Sequence, residues 1–359
     1  IPAAPPPKGS SAMFKTKLVS SLEKPFLNSR IEDYRPLSFI LMMKNQRLSF
    51  QLLHTGVGFD APLRAMLALK IEGLPSEYVT ARTVELVPVA YPIYPEIQDT
   101  NYISKEPGLY PDWLQPLHYG GVISVMKNQL RAVWIQFDPK GNVPAGSYTV
   151  TVSLMAGEEA LATETLTIEV LNAELPAQEM KVTQWFHCDC LANYYHCEPW
   201  SEKHWEIVEN FARTARENGI NLLLTPLFTP ALDTAVGGER TTTQLLDITV
   251  TNGEYSFGFE KLDRWIGLCR KHGISVAGVV KGANGNVPVS RTLLDNGCAQ
   301  LASSRLIQLE TLRQQLPHAQ TLLIRMPVPE EAARVVAACD VSLNTEERTL
   351  RALSDAAVA

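Results

Sequence analysis

The stretch SEKHWEIVENFARTARENGINLLL, residues 201–224, sets the fold class of the second half of the chain. Apolar residues recur at Trp205, Val208, Phe211, Ala212 and Ala215, the spacing of one helical face. Ser201 stands before them as an N-cap, its hydroxyl suited to an orphan amide of the first turn, and Asn218-Gly219 marks the stop. Ile220–Leu224 then reads as a buried strand, and Lys181–Phe186 upstream as another. Strand, helix, strand is a βαβ unit, which brings a parallel sheet and right-handed crossovers.

The pattern continues to the end of the chain. Phe259–Lys271, Pro288–Asn296, Leu306–Gln315, Glu330–Ala338 and Glu346–Ala357 read as helices, and Ser275–Val280, Gln300–Ala302, Thr321–Arg325 and Val341–Leu343 as strands. Pro226 to Ser256 is a long polar excursion in which Asn252-Gly253 predicts a type I′ hairpin. Six βα units are expected from Lys181 onward, against the eight of a closed barrel, leaving either a truncated barrel or an open doubly wound sheet. Two open sheet edges would invite self-association, so a homo-oligomer is among the expected partners.

Before Leu175-Pro176 the period is different. Leu37–Met43, Arg47–Leu53, Ala65–Ile71, Val84–Tyr91, Gly121–Val125, Ala132–Phe137, Ser147–Leu154 and Glu164–Leu171 are short alternating runs separated by Pro, Gly and Asn, as in an antiparallel sandwich. The expected fold class is mixed β and α/β: a flexible arm at 1–13, a β-sandwich at 14–173, and an incomplete (β/α) barrel-like domain at 174–359.

Composition narrows the functions. The chain has 359 residues, 45% hydrophobic and 19% charged, an ordinary globular balance. Lys and Arg total 32 against 38 Asp and Glu, a net charge of −6 that offers nucleic acid no basic footprint. No apolar run approaches the ~20 residues of a membrane helix. Ile1–Ser10, with Pro5-Pro6-Pro7, reads as a loose arm and not a secretory signal, although the chain does not begin with Met and an upstream signal would be lost by cleavage. Of six cysteines, Cys188, Cys190 and Cys197 crowd into ten residues, which suits thiols in a reducing, cytoplasmic compartment better than a disulfide scaffold.

In barrels and open α/β sheets alike, ligands bind beyond the carboxyl ends of the strands. There the first unit carries Trp185, His187, Cys188, Asp189, Cys190, Tyr194, His196 and Cys197, and the second Thr225, Thr229 and a Gly-rich loop ending in Arg240. The order H-C-D-C-x5-H-C lacks a C-x2-C pair, and strand alternation would part Cys188 from His187 and Asp189, so no metal is expected. Cys188 reads instead as a small buried hydrophobe. Trp185, His187, Asp189, Tyr194, Thr225, Thr229 and Arg240 together form the aromatic and polar mixture of a sugar site, with ring faces for C–H bonds and short polar chains for hydroxyls.

Four stretches carry a resemblance to glycoside hydrolase family 123: residues 107–117 (PGLYPDWLQPL), 144–150 (PAGSYTV), 185–189 (WFHCD) and 224–240. It spans roughly Phe14 to Ile274. The resemblance implies a β-sandwich before a catalytic (β/α)8 barrel and hydrolysis of β-linked N-acetylgalactosaminides, with the substrate's acetamido group as nucleophile. It also implies an adjacent Asp-Glu pair, one carboxylate orienting the acetamide and the other protonating the leaving oxygen. After Ile274 no Asp-Glu dipeptide occurs. The acidic pairs Glu330-Glu331 and Glu346-Glu347 begin expected helices, where the amino-terminal dipole accounts for them.

Residues 275–359 resemble the opening strands of alanine/ornithine racemase-like barrels, on Val276–Gly282, Ala302–Arg305, Leu323–Pro327 and Val341–Asn344. That resemblance implies Lys281 as the Schiff-base lysine for pyridoxal phosphate, a role that desolvation at a strand end would support by lowering its pKa. It also implies a chimeric chain joined near His272-Gly273-Ile274. A noncatalytic sugar-binding module is the third expectation.

Overall fold

The computed structural model describes residues 13–57, 64–93, 102–117, 120–184, 186–225, 227–228, 234 and 236–359. The chain divides into two compact units between Ala177 and Gln178.

The first unit contains β1 (Phe14–Ser20), β2 (Phe39–Met43), β3 (Leu48–Gly56), β4 (Arg64–Glu72), β5 (Val79–Val89), β6 (Gly108–Pro116), β7 (Val122–Met126), β8 (Arg131–Phe137), β9 (Gly146–Ala156) and β10 (Glu159–Leu171). They form two five-stranded sheets, ordered β1-β3-β8-β5-β6 and β2-β10-β9-β4-β7. All neighbours are antiparallel except β2 and β10. Alternate residues supply one shared core: Phe50 and Leu52, then Val133, Ile135 and Phe137, from the first sheet; Val150, Val152 and Leu154, with Leu166 and Ile168, from the second.

All eight expected runs overlap a strand, and two strands are additional. β6 contains Pro111 and Pro116, which erase its strand signal; it lies at a sheet edge, where a missing N–H costs no ladder bond. β1 occupies the opposite edge of the same sheet.

His54 of β3 shares the inner face with Phe50 and Leu52 and is buried, its Nδ1 without a hydrogen-bond partner. Burial, helped by the charge of Arg131, lowers its pKa from 6.5 to about 3.

The second unit contains α1 (Cys188–Tyr194), α2 (Glu202–Glu217), β11 (Leu222–Thr225), β12 (Asp247–Thr251), β13 (Glu254–Gly258), α3 (Glu260–Lys271), β14 (Ser275–Val279), α4 (Val287–Asp295), β15 (Gln300–Ser303), α5 (Leu306–Gln315), β16 (Thr321–Leu323), α6 (Ala332–Ala338), β17 (Val341–Ser342) and α7 (Glu347–Val358). Ser201 caps α2, accepting from the His204 amide at 3.3 Å. Asn252 and Gly253 both have positive φ, 52° and 83°, as the hairpin turn requires.

β11, β14, β15, β16 and β17 form a parallel sheet in sequence order. The order never reverses, so there is no switch point and the open doubly wound alternative does not hold. Successive residues alternate between two cores. Leu223, Val276, Leu301 and Leu323 meet Trp205, Trp265, Leu309 and Val335 of the helices, while Leu222, Ala277, Ala302 and Leu322 form a separate cluster. The helix-side core runs unbroken across residues 272–274, and β11 pairs with β14 across them, so no packing boundary marks the expected join.

Among the described residues of the expected strand Lys181–Phe186 there is one bridge, Thr183 to Leu222. The side chain of Asn221 accounts for the short pairing. It accepts from the Val182 amide at 2.9 Å and donates to the Met180 carbonyl at 2.9 Å, occupying groups a longer ladder would need.

Two outcomes follow. His54 is neutral in the fold, so its stabilisation is complete above pH 6.5 and drains as pH falls toward 3, because the unfolded chain takes the proton first. Urea titrations at pH 7 and 4.5 will show the wild type losing up to about 1.4 kcal/mol per pH unit more than His54→Leu. Ser201→Ala will cost about 1 kcal/mol by loss of the cap.

Candidate functional site

His187, Asp189 and Arg240 come together beyond the carboxyl ends of the first two strand segments. His187 is the N-cap residue of α1 and Asp189 lies in its first turn. Cys188–Tyr194 is therefore helical, not extended, and the strand alternation expected to separate Cys188 from its neighbours does not apply. Arg240 arrives from the loop after β11. Its Nε donates to Asp189 Oδ2 at 2.6 Å, its Nη2 to Asp189 Oδ1 at 3.0 Å, and the same Nη2 reaches His187 Nδ1 at 3.0 Å. Two parallel N–H···O bonds make the fork geometry that gives guanidinium–carboxylate pairs their directionality.

The Asp189 and Arg240 side chains are 6% and 11% exposed. Burial is the largest influence on the Asp189 carboxyl and pushes its pKa up. The Arg240 hydrogen bonds and charge, with backbone N–H groups at Asp189 and Cys190, outweigh it and hold the group below the ordinary carboxylate value. Asp189 is thus a fixed anion with both oxygens engaged, unsuited to donating a proton. Arg240 is always cationic, so His187 Nδ1 must accept from it, which leaves the imidazole proton on Nε2 when the ring is neutral.

A second histidine holds α1 in place. His204, on the buried face of α2 with Val208 and Ala212, is fully buried. Its Nδ1 accepts from the Trp200 amide at 2.9 Å, so its Nε2 carries the hydrogen and donates to the Cys188 carbonyl at 2.9 Å. Trp200 adopts φ +63°, a conformation strained for a bulky residue. Its ring lies 4.7 Å from Trp205 and 5.2 Å from His204, centroid to centroid. The 204, 208, 212 spacing was the signal that could have placed His204 inward.

Of the remaining sequence candidates, Trp185 and Thr229 lie outside the described residues. Tyr194 is 75% exposed at the far end of α1, edge-on to Tyr195 with centroids 5.0 Å apart. Thr225 does not join the cluster. It ends β11 on the same face as Leu223, toward the helices, where it is buried and its hydroxyl lacks a hydrogen-bond partner. Asn193 joins from α1, accepting from Thr241 Oγ1 at 2.8 Å.

Cys188 is buried and burial pushes its thiol up. Burial likewise lifts Cys269 to about 12 and Cys298 and Cys339 to about 11, whereas Cys190 is exposed. Among the described residues no group of three His, Cys, Asp or Glu side chains is arranged to hold a metal, and no helix is long and apolar enough to cross a membrane.

Lys281 follows β14 in an exposed turn. Nearby, Ser303 donates to Gln308 Oε1 at 2.6 Å and Gln308 Nε2 donates to Asn284 Oδ1 at 2.8 Å. Glu331 is forked to Arg325 at 2.7 and 2.8 Å and accepts from the Val328 amide at 3.4 Å, while Glu346 stands at the N-cap position of α7 without a side-chain hydrogen bond to the helix.

The glycoside hydrolase family 123 catalytic-domain model matches residues 185–279, the segment that holds the whole cluster. A family 123 glycoside hydrolase from Clostridium perfringens, described as acting in glycolipid glycan hydrolysis, aligns at TM-score 0.65 with 14% identity, over 91% of this chain and 66% of that one. The chain therefore spans just under two thirds of that enzyme. A PapD-like domain of human CEP192 overlaps 48% of this chain and 96% of its own length at 11% identity and TM-score 0.21. No curated protein matches.

Arg240→Ala will leave Asp189 buried without its partner and will cost about 3 kcal/mol of stability at neutral pH. The carboxyl's folded pKa is depressed, so the stabilisation from the pair is present above the ordinary carboxyl pKa of 3.8 and is lost as pH falls through the folded value. Denaturant curves for wild type and variant will accordingly converge below pH 3.8.

Proposed function

We propose that this chain is a glycoside-hydrolase-like protein of the family 123 type, with an N-terminal β-sandwich and a partial (β/α) barrel. It grips a β-linked N-acetylhexosamine, N-acetylgalactosamine first among them, at His187, Asp189 and Arg240. The observation that carries this reading is the reach of Arg240 across 51 positions to Asp189 and 53 to His187 within the family-matched segment. A buried, oriented anion and a neutral imidazole are polar groups suited to sugar hydroxyls and an acetamide, and the exposed Tyr194–Tyr195 pair offers ring faces to pyranose C–H bonds. The glycolipid glycans handled by the Clostridium perfringens enzyme are the ligand class to try first.

Substrate-assisted cleavage forms a bond from the acetamide oxygen to the anomeric carbon as the glycosidic bond breaks, and an acid must protonate the leaving oxygen. Asp189 is ionised and forked to Arg240, so it is not that acid, and the 359 residues contain no Asp-Glu dipeptide to supply one. The chain binds the sugar without turning it over.

Titration calorimetry with methyl β-N-acetylgalactosaminide will give saturable binding to the wild type, weakened about tenfold by Asp189→Asn through the loss of a charged hydrogen bond. An aryl β-N-acetylgalactosaminide will release no phenol. Absence of binding to the folded wild type would refute the sugar reading, and turnover would refute the loss of chemistry.

A further inference from the structure

In the helix layer of the second unit is a cavity of about 340 Å³, within the ~300–1,000 Å³ range of small-molecule sites. Leu262 and Ile266 of α3, Leu293 of α4, Leu246, and the rings of Phe228 and Phe257 form its wall. Among the described residues of the lining, Asp263, Thr292 and Asn296 are the only ones with polar side chains other than a thiol, and none is lysine, arginine or histidine.

The β12–β13 hairpin extends this apolar surface outward. Its register sets Ile248 opposite Phe257 and Val250 opposite Tyr255, and residues opposite one another share a face. Those four side chains are 40–68% exposed, whereas Asp247, Thr249, Thr251, Glu254 and Ser256 occupy the other face. Phe257 belongs to both the exposed face and the cavity wall, so the two are continuous.

The lining selects the occupant. A peptide helix about 10 Å across would bring its polar face against a lining that is almost wholly apolar. An extended peptide would bring backbone N–H and C=O groups against a lining that cannot pair them, at a cost of ~1–3 kcal/mol each. A polymethylene chain meets neither obstacle. With no cation in the lining a terminal carboxylate has no partner, whereas the exposed carboxylate of Asp263 accepts from a hydroxyl or amide N–H.

We propose that this cavity, approached over the apolar face of the hairpin, binds the hydrocarbon chain of an uncharged lipid-like molecule, with its hydrogen-bond-donating end at Asp263. The site is independent of the sugar cluster and stands or falls separately from it.

The test uses N-phenyl-1-naphthylamine, an uncharged fluorescent probe, with the full chain. Saturable fluorescence enhancement is expected, with 1-decanol displacing the probe at least about ten times more effectively than decanoate. Val289→Trp, which fills the mouth, will weaken probe binding about tenfold or more. Phe257→Ser on the exposed hairpin will also weaken it and does not depend on repacking the core, while Ile307→Ser, at an exposed apolar position on α5, will leave it unchanged. Absence of saturable binding, decanoate displacing as well as decanol, or binding unaltered in both folded cavity variants would overturn the proposal. So would a dimer in sedimentation equilibrium that buries the hairpin and excludes the probe.

Discussion

A carboxylate at the amino end of a short helix, out of reach of water, is tolerable only with a cation bonded to both its oxygens. Asp189 and Arg240 meet that condition, and much of the local architecture follows from it. The loop after β11 must travel back to α1, His187 is drawn into the same guanidinium, and Thr241 beside Arg240 reaches Asn193. The bond of His204 to the Cys188 carbonyl braces the other side of α1. A helix of seven residues without a side-chain N-cap is thus held from outside itself.

The same arrangement fixes what Asp189 can do. An anion tied to arginine can orient a polar substrate but cannot surrender a proton, since its ionised form is the favoured one. The likeness to family 123 covers residues 185–279 and the fold, while an Asp-Glu dipeptide does not occur in these 359 residues. Residues 275–359 sit within the same parallel sheet as β11, with no change of core to set them apart.

Local periodicity made much of the fold legible. The alternating runs gave eight strands of the first unit because half their residues enter the core, and α2 and α3 announced themselves by a cap or an apolar stripe. β6 was hidden by its prolines, which only an edge position permits. α1 was hidden because Cys, Asp and Asn favour no helix on their own; its brace comes from His204, sixteen residues away. Lys181–Phe186 looked like a strand because nothing local reveals that Asn221 takes over its hydrogen bonds. At the candidate site the residue types were visible, but their grouping was not: Arg240 and Asp189 are 51 positions apart, and Thr225 turned out to share the opposite, helix-side face.

The unequal burial of the thiols has a practical corollary. Cys188, Cys269 and Cys298 are shut away from reagents and reluctant to ionise, while Cys190, one residue beyond Asp189, is open to solvent. A maleimide dye or nitroxide added at neutral pH would attach there in preference to the buried sulfurs, which solvent does not reach. The chain thereby carries a native attachment point one residue from the Asp189–Arg240 pair.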